Sequence, residues 1–203
     1  MLTLEVPGGY KDVLLHCCCA PCSGAVLECM LHNGLRPVVF FSNSNIVPRA
    51  EYDLRREELE RYCHKLGLTT VDDDYDHRAW LDTVLADKAL AEAPERGPRC
   101  LNCFKFRLLR AARYAADHNL PVLTTTLASS RWKSLEQVDE AGRWACAQVA
   151  AHQPPGGAQA PLWWPQNWRK GGLQPRRSEI IQEQQFYNQN FCGCEFSKRN
   201  DPD

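Results

Sequence analysis

The chain has no apolar run long enough to cross a bilayer. Its longest, such as Val38-Val39-Phe40-Phe41, fall far short of the roughly 20 residues a spanning helix needs. Where an export signal would place a basic start and an apolar stretch stand Glu5 and Pro7, so a cytoplasmic protein with no membrane association is expected. Internal repeats are lacking, as is any low-complexity tract beyond Pro154-Pro155-Gly156-Gly157. No glycine-rich phosphate loop follows the first apolar segment. Cysteines and a proline occupy that place, and Ser23-Gly24 alone is too little to cradle a pyrophosphate, which excludes a nucleotide-activating enzyme. Nor is there a large net charge: the balance is -1 over 203 residues, with 44% hydrophobic and 24% charged, as in an ordinary packed domain.

What the chain does have is sulfur. Eleven cysteines, an odd number and several of them adjacent, make a poor disulfide framework in a reducing compartment and point to metal or redox chemistry. The near-zero charge also conceals an asymmetry. Residues 1–98 carry 10 Lys/Arg against 16 Asp/Glu, and residues 99–203 carry 14 against 9, which predicts a basic surface in the second half suited to a polyanion.

Apolar segments and turn signals alternate. Strands are expected at 13–18, 37–42, 68–71 and 121–127, and helices at 22–33, 50–66, 77–90, 103–118, 134–151 and 178–187. Gly34 and Gly67 close the first two helices, and Ser134 followed by Gln137 is a capping-box pattern. This rhythm implies a parallel sheet with helices on both faces, here a core of about 10–153 followed by an irregular and helical segment of about 154–203.

Three cysteine groups stand out: Cys17-Cys18-Cys19-Ala20-Pro21-Cys22 at the end of the first strand, Cys100-Leu101-Asn102-Cys103 at a helix start, and Cys192-Gly193-Cys194 near the end. The first sits where open parallel sheets bind ligands, and the second where a helix dipole favours thiolates. Cys19 and Cys22 alone suit a redox dithiol, and together with Cys100 and Cys103 they suit a zinc site. Seven candidate thiolates (Cys18, Cys19, Cys22, Cys100, Cys103, Cys192 and Cys194) exceed the four that one tetrahedral ion or one cluster takes. Strand alternation turns Cys18 away from Cys17, so Cys17 is left out, and Cys29, Cys63 and Cys146 are read as core.

With these groups in view, the chain resembles the cobalamin-independent epoxyqueuosine reductases of the QueH type. The resemblance rests on Leu-Leu-His-Cys-Cys-Cys-Ala-Pro-Cys (14–22), Phe-Ser-Asn-Ser-Asn-Ile (41–46), Tyr-Asp-His-Arg-Ala-Trp (75–80), Arg-Cys-Leu-Asn-Cys-Phe-Lys-Phe-Arg-Leu (99–108), Thr-Thr-Leu (125–127), Asn-Trp-Arg-Lys (167–170) and Tyr-Asn-Gln-Asn-Phe-Cys-Gly-Cys-Glu-Phe-Ser (187–197). It implies a single α/β domain, Rossmann-like and related to the adenine-nucleotide α-hydrolases, whose C-terminal segment closes a metal site. It also implies reduction of epoxyqueuosine to queuosine in tRNA, with a [4Fe-4S] cluster and a further iron on the seven cysteines. The family often has Ser or Thr at the place of Cys17, in line with leaving it out, and Asp-Phe where this chain has Asn167-Trp168.

Removing an epoxide oxygen takes two electrons and two protons. Candidate proton donors are Asp76, Tyr187 and His16; for His16 a core role competes. A tRNA partner suits the basic half: Arg107, Arg110 and Arg113 at spacing three, with Arg131, Lys133, Arg169, Lys170, Arg176 and Arg177 in loops. Trp132 and Trp168 are candidates for stacking an anticodon base, Asn45 and Thr125 for binding the substrate, and Trp163 and Trp164 for anchoring the tail. The electron donor is not identified by any motif. The competing class is a zinc-dependent nucleic-acid-binding module without catalysis.

Overall fold

The structure, a computed structural model, describes residues 2–154, 156, 157 and 159–197. Pro155, Ala158 and residues 198–203 of the expected closing segment lie outside the described residues. In chain order the elements are β1 (Val13–Cys17), α1 (Ala20–His32), β2 (Val38–Phe41), α2 (Arg49–Lys65), β3 (Thr70–Asp72), α3 (His77–Val84), α4 (Lys88–Ala91), α5 (Pro98–Asp117), β4 (Val122–Thr125), α6 (Leu135–His152), β5 (Leu162–Trp163) and α7 (Leu173–Gln184).

The strands form one parallel sheet in the order β3-β2-β1-β4-β5, with Leu15 of β1 beside Val39 on one side and Thr124 on the other. β1 is buried along its whole length, as a continuous apolar strand covered on both faces must be. Helices α2 and α7 pack on α1, while α3 and α6 pack on α5. Right-handed crossovers place these two groups on opposite faces of the sheet. The strand order reverses between β1 and β4, and the crevice beyond their carboxyl ends is where this topology positions a site. Among the described residues no helix is long and apolar enough to cross a membrane.

Local chemistry sets the helix ends. Gly34 takes φ +72°, so that its N–H reaches Leu31 O at 3.0 Å and Leu35 N–H reaches Met30 O at 2.9 Å, closing α1. Ser134 Oγ accepts from Gln137 N–H at 3.3 Å and starts α6.

Several expectations shift. The helix expected over 77–90 is two helices, because Asp87 accepts from Ala89 N–H at 2.9 Å and restarts the chain as α4. The helix expected from 103 starts five residues earlier, where Pro98 opens α5, since the first helical turn needs no proline N–H. The short edge strand β5 was not anticipated, and the last helix begins at Leu173 rather than Ser178.

Candidate metal centre

β1 ends at Cys17, and the chain then turns into α1 with Cys19 extended at the helix N-cap (φ -177°, ψ 162°) and Cys22 in the first turn. That turn defeats strand alternation and brings Cys18 and Cys19 Sγ to 3.8 Å. The sulfurs of Cys18, Cys19 and Cys22 lie within 4.8 Å of one another. The adjoining end of β4 braces the turn. Thr126 Oγ1 accepts from Cys18 N–H at 3.3 Å, and Ser129 Oγ donates to Cys22 O at 2.9 Å. Thiols of Cys19 and Cys22 hydrogen-bond toward Cys18 and pull it well below the ordinary thiol value, while Cys22 is pushed up to about 11 by the same Cys18 bond. Cys18 is thus the most acidic thiol of the trio, and it lines the cavity in the crevice.

The other two groups arrive from far along the chain. Cys100 and Cys103 stand at the start of α5, where Arg96 N–H donates to Cys100 Sγ at 3.3 Å. Burial raises Cys103 to about 11 and Cys194 to about 12, and in each the nearby Cys192 adds to the rise. The four thus form a second neighbourhood, and Cys192 links it to the first by lining one cavity with Cys18 and Cys22. Cys17 is fully buried behind the trio, and Cys29, Cys63 and Cys146 are core residues, in agreement with the sequence reading.

The C-terminal loop is held in place by buried groups. Arg55 donates from Nη1 to Cys192 O at 3.1 Å and pairs with Glu51 at 2.5 Å, while Val47 N–H reaches Gly193 O at 2.9 Å. Gly193 has φ +115°, and a Cβ there would lie 3.0 Å from Ile46 Cγ1, so only glycine fits between the two cysteines.

Among the other expected site residues, Asn45, Arg107 and Lys133 line the cavity. Although burial opposes its charge, the nearby sulfurs of Cys192, Cys18 and Cys22 raise the Lys133 ammonium above its ordinary value. Arg107 is not a surface phosphate contact: it is buried, donating from Nε to Ser42 O at 3.1 Å and from Nη2 to Asn43 Oδ1. Arg110 is spent on Asp73, and Arg176 on Glu28, Glu179 and Glu183. Arg169 bonds the carbonyls of Ser130 and Lys133 and so braces the loop before α6, whereas Arg131 and Lys170 are exposed.

Three assignments need correction, those of His16, Thr125 and Trp168. His16 is buried, its Nδ1 bonded to Thr125 Oγ1 at 2.7 Å and its Nε2 to Ser42 O at 3.0 Å. Burial, with Arg107 close by, pushes its imidazole down to about 3, so it is a neutral core residue and no proton donor. Thr125 is its partner, equally buried, and does not reach the cavity. Trp168 is fully buried with Nε1 donating to Thr125 O at 3.1 Å, which removes it as a stacking surface. Asp76 caps α3 by accepting from Ala79 N–H at 2.9 Å, and neither it nor the exposed Tyr187 lines the cavity.

Sequence reasoning missed Arg55, Gln189 and Phe191, which also line the cavity. Arg55 had a readable signal. It falls between Tyr52 and Leu59 on the apolar face of α2, and a charge at such a position needs a buried partner. Gln189 and Phe191 lie in a loop without periodicity.

Comparison with known proteins adds a family. A family model described as epoxyqueuosine reductase QueH matches residues 13–200. The chain is 41% identical over 197 residues to the epoxyqueuosine reductase QueH of Haemophilus influenzae, covering 97% of this chain and 76% of that one. It is 39% identical over 199 residues to the protein of the same name from Acinetobacter baylyi (98% and 86% covered), and 31% over 189 residues to that from Thermotoga maritima (91% and 89%).

Proposed function

This chain belongs to the epoxyqueuosine reductase QueH family, and from that premise we propose that it reduces the epoxide of epoxyqueuosine in tRNA to the alkene of queuosine, the last step of queuosine biosynthesis. The observation that carries this reading is that Cys18 and Cys22 share one cavity with Cys192, from far along the chain, at the point where the strand order reverses. The donor set fits iron: three sulfurs within 4.8 Å of one another suit thiolates sharing a metal, and seven in all match a [4Fe-4S] cluster with one more iron beside it. When bound, those centres supply single electrons and a Lewis acid for the oxygen.

The protein's own part is electrostatic and steric. Opening the C–O bond to the alkene consumes two electrons and two protons and releases water. Negative charge builds on the departing oxygen, and Lys133 and Arg107 set fixed positive charge into the cavity wall, where it needs no reorganisation during the reaction. The closing loop around Cys192, clamped by Arg55, holds that thiol at the cavity.

A tRNA partner fits the loop before α6. Trp132 is 60% exposed, and the guanidinium groups of Arg131 and Arg96 lie 5.2 and 5.8 Å from its ring centre. An exposed indole between cations, next to the cavity-lining Lys133, is a platform for an unstacked anticodon base. Anaerobic incubation with a reductant and epoxyqueuosine-containing tRNA, followed by nucleoside mass spectrometry, should show loss of one oxygen from the base. An unchanged nucleoside with iron-loaded protein would overturn the proposal.

A further inference from the structure

Asn45 is 1% exposed, yet its Oδ1 has no hydrogen-bond partner, and the same holds for Gln189 Oε1. Both side chains line the cavity that Cys18, Cys22 and Cys192 share. The orientation of Gln189 is set by its Nε2, which donates to Cys19 Sγ at 2.8 Å, so the carbonyl is the end left over. Buried acceptors are almost always satisfied, because leaving one unpaired costs free energy. Two in one cavity mark a place for a ligand that brings its own donors. Arg55 is engaged on the carbonyls of Cys192 and Phe191 and Arg107 on Ser42 and Asn43, and Lys133 on the same wall makes no hydrogen bond to either amide oxygen.

We propose that Asn45 and Gln189 are the specificity residues that grip the hydroxyl groups of the substrate's carbocycle, each through its amide oxygen. This rests on the epoxyqueuosine reading above. The substrate side chain offers two kinds of donor, a secondary ammonium and the ring hydroxyls. Arg107 and Lys133 in the same wall repel the ammonium, whereas neutral hydroxyls meet the two carbonyls without a charge penalty. Holding the hydroxyls there turns the adjoining epoxide toward the thiols and rejects a base without the ring, since the two carbonyls would then stay unpaired.

The test compares two anticodon stem-loop RNAs by fluorescence anisotropy with anaerobically prepared, iron-loaded protein. One carries epoxyqueuosine. The other carries 7-aminomethyl-7-deazaguanine, which keeps the amine and lacks the carbocycle. Asn45→Ala should weaken binding of the first by about tenfold and leave the second unchanged. Asn45→Ser, which retains an acceptor, should recover part of the loss. Unchanged binding of the second RNA reports an intact fold, and iron per chain is measured alongside. Equal loss on both RNAs, or loss on neither, overturns the subsite alone. Wild-type protein that binds both alike and leaves the epoxide intact overturns the functional reading and the subsite with it.

Discussion

Arg55 on α2 donates to the carbonyl of Cys192, 137 residues further along the chain, from a side chain that is only 3% exposed. A buried guanidinium is retained only where its partners fix it, and here they are the Glu51 carboxylate and the backbone of the closing loop. Removing it leaves Glu51 buried without its cation. Arg55→Ala should therefore destabilise the fold by about 3–5 kcal/mol. Arg55→Lys keeps the charge but not the two-pronged geometry, and should lower iron per chain more than it lowers the melting temperature. Thermal melts beside iron analysis separate the two effects, and full iron retention in both variants would refute the clamp.

The cysteine assignments make a paired prediction. Cys17→Ala should retain iron, because that thiol is buried behind the site, whereas Cys18→Ala and Cys22→Ala should lose most of it. Metal analysis and the charge-transfer absorbance of anaerobically purified protein decide the matter.

Trp132 should matter for affinity and not for chemistry. Trp132→Ala is expected to raise KM for tRNA roughly tenfold with kcat little changed, while Trp132→Phe keeps a stacking face and most of the affinity. Affinity of the wild-type protein should also fall steeply as salt rises. A kcat defect with unchanged KM would place Trp132 elsewhere in the mechanism.

Stability at low pH should depend on the pair that ties α7 to α1. Hydrogen bonds from Arg176 hold the Glu28 carboxyl below its ordinary 4.5. A carboxylate depressed on folding contributes stability that is complete above its unfolded value and is lost as pH falls through the lower folded value. Glu28→Gln should therefore cost about 1 kcal/mol at pH 7 and nothing at the acid end, so the two melting curves converge as pH falls below the ordinary carboxylate value of 4.5. Parallel curves down to pH 3 would rule this linkage out.

How much was legible in the sequence depends on the range of the interaction that decides each feature. Helix ends set by Gly34 and Ser134, the parallel order of strands and helices, and the buried roles of Cys29, Cys63 and Cys146 all follow from contacts or periodicities within a few residues. The chemistry of the thiol groups was readable for the same reason, since ligand type and count are properties of composition and spacing. His16, Thr125 and Trp168 show where that reading stops. Each looked functional beside cysteines or cations, and each is consumed by a partner more than 40 residues away.

The residue types alone determined that this protein is an α/β fold built to present thiolates, because strand and helix periods and sulfur's affinity for soft metals need no knowledge of distant neighbours. Only the tertiary structure decided which polar groups face the cavity. The direction of a side chain at a strand end is settled by a turn such as that at Cys18 and Cys19, and its freedom to act by whatever packs over it. Asn45 and Gln189 remain available there because the fold leaves their carbonyls without partners, and His16 does not because its imidazole is already satisfied.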